Sequence, residues 1–82
     1  MSESFDVWQY FENDWHDKVG ASLSAEDAVK LAASYTRRPA ALLGITRKVT
    51  IVERESDDTV FEWQFGVGVT FPREEEAGGQ LQ

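Results

Sequence analysis

Apolar and polar positions alternate with period two in three stretches of the chain, and one stretch between them has the period of a helix. Over residues 4–11, Phe5, Val7, Gln9 and Phe11 fall on one face, and Asp6, Trp8 and Tyr10 on the other. Alternation with aromatic and β-branched enrichment predicts a strand. Glu12-Asn13-Asp14 predicts a turn, because Asn and Asp tolerate left-handed geometry and bond their own backbone. Trp15 to Val19 then pairs back as the second strand of a hairpin, with Trp15, Asp17 and Val19 on one face and His16 and Lys18 on the other. A helix with Asp6, Gln9, Glu12 and Asn13 on its polar side is the competing pattern for this region.

Gly20 to Leu23 is expected to connect, and Ser24-Ala25-Glu26-Asp27 to start a helix. Ser24 is a good N-cap, Asp27 sits three residues on, and both acids favour the positive end of the helix dipole. Ala28, Leu31, Ala32 and Tyr35 follow at i, i+3, i+4 and i+7 and form the buried stripe. Glu26 precedes Lys30 by four residues, the favourable order for a surface ion pair. Pro39 disfavours helical geometry at Arg38, so the helix should stop there. Pro39 also suits the first position of one further turn, Ala40 to Leu43, closed by Gly44 as a left-handed cap.

Ile45 to Arg54 alternates again, with Val49 and Ile51 as the inward pair. Glu55-Ser56-Asp57-Asp58 reads as a turn. Thr59 to Phe65 then sets Phe61, Trp63 and Phe65 on one face and Val60, Glu62 and Gln64 on the other. Two clean strands across a short polar loop predict a second hairpin. Phe61, Trp63 and Phe65 are expected to pack on Ala28, Leu31, Ala32 and Tyr35. Gly66-Val67-Gly68 should bend or break the chain, since glycine relieves the β-carbon restriction. Val69 to Phe71 either continues the strand or forms a short extra one. The predicted fold is therefore α+β, in the order ββαββ: a four-stranded, largely antiparallel sheet with one main helix on one face. Residues 1–72 would form the domain. Residues 73–82, which include Glu74-Glu75-Glu76, read as a disordered acidic tail.

Composition narrows the chemistry. The chain has 82 residues, a formal net charge of −7, one histidine and no cysteine, which removes disulfides and cysteine-based metal sites. No apolar run approaches the roughly 18 residues of a membrane span. Met-Ser-Glu-Ser-Phe-Asp has neither a basic nor an apolar segment, so no signal peptide is expected, and a cytoplasmic location fits.

No catalytic constellation stands out, and no enzymatic activity, cofactor or metal is expected. His16 has Asp14 and Asp17 near it in sequence but no nucleophile motif, and it reads as a surface or strand-edge histidine. Glu53, Glu55, Asp57, Asp58 and Glu62 lack the spacing of a calcium loop and read as a solvated turn. Gly66-Val67-Gly68 lacks the Lys-Ser/Thr pair of a phosphate loop. Arg37, Arg38, Arg47 and Lys48 hold half of the basic residues and would form a patch for an anionic partner if the helix end met the third strand. The net charge opposes nucleic acid, the less favoured partner. Trp8 and Tyr10 should point away from the helix. With Trp15 they form a candidate interface, because Trp and Tyr are enriched where proteins meet.

The segments D-V-W-Q-Y-F at 6–11, S-A-E-D-A-V at 24–29 and V-F-E-W-Q-F-G-V-G-V-T-F-P at 60–72 resemble, with their spacing, a set of small bacterial proteins with a hairpin–helix–hairpin pattern. That resemblance spans most of the chain up to Pro72 and implies no activity. A hairpin followed by an S-x-E-E-A-type helix is also similar to the N-terminal domain of HicB-type antitoxins, but this chain lacks their C-terminal DNA-binding segment. Neither resemblance assigns a role to any residue. The expected function is a small non-enzymatic interaction or regulatory module. It would act through the aromatic sheet face on another protein or on a second copy of itself, most simply as a homodimer. A nucleic-acid accessory role through the arginine–lysine patch is the alternative.

Overall fold

The computed structural model describes residues 3–72. The expected tail, 73–82, lies outside the described residues. Seven elements follow one another: β1 (Phe5–Phe11), β2 (His16–Leu23), α1 (Ala25–Thr36), α2 (Pro39–Leu42), β3 (Thr46–Glu53), β4 (Thr59–Gln64) and β5 (Gly68–Phe71). The strands form one antiparallel sheet in the order β2-β1-β3-β4-β5. The α+β class and both hairpins are as expected. The sheet has five strands rather than four, because Gly66 and Gly68 take left-handed backbone (φ 82° and 102°) and turn the chain back on β4. β2 also runs on through Gly20 to Leu23, where a connection was expected. It does so across register shifts, with Val7 opposite Gly20 and Phe5 opposite Leu23.

The helices start and stop where local chemistry requires. The Ser24 hydroxyl accepts a hydrogen bond from the Asp27 amide at 3.1 Å, satisfying one orphan donor of the first turn. Glu26 reaches Lys30 at 3.4 Å, an exposed pair that contributes little. Pro39 opens α2, and Gly44 follows it at φ 82°, where a Cβ would lie 3.0 Å from the Phe65 ring. Only a glycine fits both the conformation and that approach.

The core lies between α1 and three strands. Phe5 and Val7 of β1, Val49 and Ile51 of β3, and Ala28 and Ala32 of α1 are buried together. Val19, Leu23, Leu31 and Tyr35 pack around them, and so do Phe61 and Trp63. α1 rests on β1, β2 and β3. Sheet width explains why it goes no further. Five strands about 4.8 Å apart spread roughly 19 Å between outer axes, whereas a helix with its side chains is about 10–12 Å wide. Two residues that share a face with core residues in the sequence pattern lie outside the buried cluster. Phe65 packs at Gly44 beneath the Arg47 guanidinium, away from the buried cluster. Phe11 is only half-buried, because the β1–β3 register shifts between Tyr10 and Phe11.

One charged residue ties three strands together. Asp6 is buried on β1, and its carboxylate accepts the Ser22 amide of β2 at 3.0 Å. Lys18 lies 3.5 Å away and Arg54, just past β3, 3.7 Å away. Arg54 also donates to the Ser22 hydroxyl.

Candidate functional site

The face of the sheet away from α1 carries the aromatic residues singled out in the sequence. Trp8 stands opposite Lys18 and Thr50, and Tyr10 opposite His16 and Lys48. Lys18 Nζ sits 5.2 Å over the Trp8 ring, and Lys48 Nζ 4.5 Å over the Tyr10 ring. His16 tilts between the two rings, with both centroid distances 5.5 Å. Trp8 and Tyr10 are therefore half-buried under cationic neighbours rather than bare. His16, not Trp15, is the residue of β2 that joins them. Trp15 stands in the β1–β2 turn, 67% exposed, and is bonded through its carbonyl to the Phe11 amide.

The same face continues onto β4. The Glu62 carboxylate accepts hydrogen bonds from the Gln64 side-chain Nε2 at 2.6 Å and from the Thr70 hydroxyl at 2.8 Å. The Gln64 bond, with help from Thr70 and the nearby Lys48 ammonium, holds the Glu62 carboxyl below its ordinary range despite partial burial. Thr50 lies between Trp8 and Glu62 in the ladder, and its buried hydroxyl has no partner among the described residues.

The four basic residues do not form one patch. Arg47 and Lys48 are neighbours on a strand, so they leave it on opposite faces. Lys48 covers Tyr10 on the far face, while Arg47 covers Phe65 at 4.8 Å on the helix side and bonds the Gly44 carbonyl. Arg38 stacks on Tyr35 at 3.9 Å, and Arg37 caps α1. Residue parity carried this signal in the sequence already.

The acidic residues around the β3–β4 turn are also dispersed. Glu53 is buried, and it holds the turn: its carboxylate accepts the Ser56 amide at 2.9 Å, the Ser56 hydroxyl at 2.8 Å and the Glu55 amide at 3.2 Å. The Ser56 bonds, then the Glu55 amide, draw its carboxyl below the ordinary range against a smaller effect of burial. Glu55, Asp57 and Asp58 are exposed, and Glu62 is on the far face. Among the described residues no three His, Cys, Asp or Glu side chains converge as a metal site would need.

Sequence patterning missed a further apolar surface. It lies on the helix side, beyond the reach of α1. Val69 of β5 is 54% exposed there, while Phe71, 42% exposed, pairs with Glu62 across a register shift at the end of the strand. Val69 pairs with Trp63, placing the two side by side beyond the core. Val29 of α1 and Val60 of β4 are exposed as well, as are Leu42, Leu43 and Ile45 around the end of α2. Between the first turns of α1 and the β3–β4 hairpin lies a cleft of about 490 Å³, floored by Phe5, Val29, Ile51 and Phe61 and reaching Pro72 at the end of β5. The signal was the count of strands. A fifth strand left one helix too narrow to cover the sheet.

No helix among the described residues is long and apolar enough to cross a membrane. No family model, curated protein or solved structure matches the chain.

Proposed function

We propose that the chain is a non-enzymatic protein-interaction module whose contact surface is the open half of the helix-side face, bounded by β5. The observation that supports this best is the difference between the two sheet edges. β2 is guarded: it carries Asp17 and Lys18, its pairing is bulged, Ser22 is left-handed, and the Ser22 amide is already taken by Asp6. Charges and bulges are how edge strands avoid pairing with other chains. β5 has no charged residue, and its Val69 and Phe71 are exposed. Its safeguards are its shortness, one register shift against β4 and Pro72 directly after it, with no charge among them. An uncharged edge beside an apolar face suits an extended segment of another chain, which adds main-chain hydrogen bonds and buries alternate side chains.

Trp8 and Tyr10 on the far face, with Trp15 exposed in the adjoining turn, remain the second surface. It is favoured less because Lys18, His16 and Lys48 already occupy the two sheet rings. Self-association is the homodimer form of the β5 contact, and a net charge of −7 on each copy works against it. Titrating the labelled protein with an uncharged eight-residue peptide alternating threonine and valine tests the proposal by amide chemical shifts. Changes confined to β4 and β5, and abolished by Val69→Lys, are expected. Changes centred on Trp8 and Tyr10 would move the contact to the far face. Concentration-dependent sedimentation that Val69→Lys removes would make a second copy the partner.

A further inference from the structure

We infer that the partner segment taken up beside β5 is basic as well as apolar, and that its basic end lies at the cleft between α1 and the β3–β4 turn. This rests on the interaction reading above and adds the chemistry of the partner. The cleft has an apolar floor, and among the described residues its rim carries one sign of charge: Glu3, Glu53 and Asp58 line it, with no lysine, arginine or histidine. Among the described residues none of these three carboxylates has a cation within ion-pair distance. The sheet itself keeps Arg54 away. Arg54 follows Glu53 directly, leaves on the other face and is held there by Asp6.

Glu53 cannot turn aside to solvent, because the turn amides and the Ser56 hydroxyl hold its carboxylate in place. The first turn of α1 also borders the cleft through Ala25, and the helix dipole there would repel a cation. That turn carries Glu26 and Asp27, which offset the dipole. An apolar floor whose rim carries one anchored and two exposed carboxylates, none with a cation at ion-pair distance among the described residues, selects a segment that alternates aliphatic side chains with lysine or arginine. The chain's own continuation after Pro72 is a poor match, since Arg73 is followed by Glu74-Glu75-Glu76.

Fluorescence anisotropy with three labelled octapeptides tests this: valine alternating with lysine, with threonine, and with glutamate. The lysine peptide is expected to bind about tenfold tighter than the threonine peptide at low salt, the advantage of two or three exposed ion pairs. Added salt should shrink that advantage, and the glutamate peptide should not bind. Glu3→Gln with Asp58→Asn, both exposed positions, should bring the lysine peptide close to the threonine one. Equal binding of the lysine and threonine peptides to the wild type would overturn the charge selection and leave the interaction reading standing. Failure of all three peptides would overturn both. Binding of the lysine peptide only after Arg73→Gln would make the chain's own arginine the occupant and overturn the inference.

Discussion

The two halves of the sheet are built from equally apolar sequence but treated differently by the fold. In β1 and β3, Val7, Val49 and Ile51 lie beneath α1 with 0–2% of their surface exposed. In β4 and β5, the residues on the same side are half-buried or exposed, and Val69 faces solvent at 54%. Apolar alternation reports which side chains share a face. It does not report whether anything covers that face. Only the covered half stabilises the monomer fully, and the open half is free to serve contacts with other molecules.

That contrast can be broken by substitution. Ile51→Ala should cause the largest loss, about 2–5 kcal/mol in urea unfolding, since transfer and cavity terms add at a closed site. Trp63→Ala stands on the boundary. Its ring packs on the core but is only half-buried, so roughly half of a buried tryptophan's loss is expected, ~2 kcal/mol. A loss above ~4 kcal/mol would mean that the cover reaches β4.

Glu53→Gln probes the β3–β4 turn by pH. The folded carboxyl is lowered, so its contribution is complete above the ordinary carboxylate range and is lost as pH falls through the lowered value. The stability difference between wild type and Glu53→Gln should therefore be largest near neutrality and shrink below about pH 4. A difference unchanged across that range would mean that the charge on Glu53 does not matter. Val69→Thr should change stability least, by under ~0.5 kcal/mol, as a surface substitution does. It is the change that separates binding from folding, because peptide uptake should weaken while the unfolding curve stays in place.

Much of the fold was legible because local chemistry decides it. Ser24 caps, Pro39 restarts, Gly44 turns, and the alternation at Val49-Ile51 and Phe61-Trp63 forces a hairpin. β5 was harder to read, since four residues behind two glycines carry too little pattern to separate a new strand from a continued one. The extension of β2 through Gly20 was hidden for the same reason. Strand order was out of reach, because the placing of β1 beside β3 depends on contacts distant in sequence. Of the candidate site, Trp8 and Tyr10 were placed on the correct face by parity alone. Their cover by Lys18 and Lys48 needed the register of neighbouring strands. The apolar half of the helix side needed the width of the whole sheet.

The strand order also sets how the molecule assembles in time. β1 with β2, and β3 with β4 and β5, are two local meanders, each closed by a short turn. Within the sheet they are joined at the β1–β3 seam, where Phe11 pairs with Thr46 and Phe5 with Glu53, with both helices in the intervening loop. Closing that loop spends chain entropy before the core repays it. The seam is thus the natural rate-limiting event of folding. Substitutions at Val7 or Val49 should slow folding, while those on β5 should mainly speed unfolding. The uncharged edge, β5, is then also the part of the sheet that can open without disturbing the nucleus.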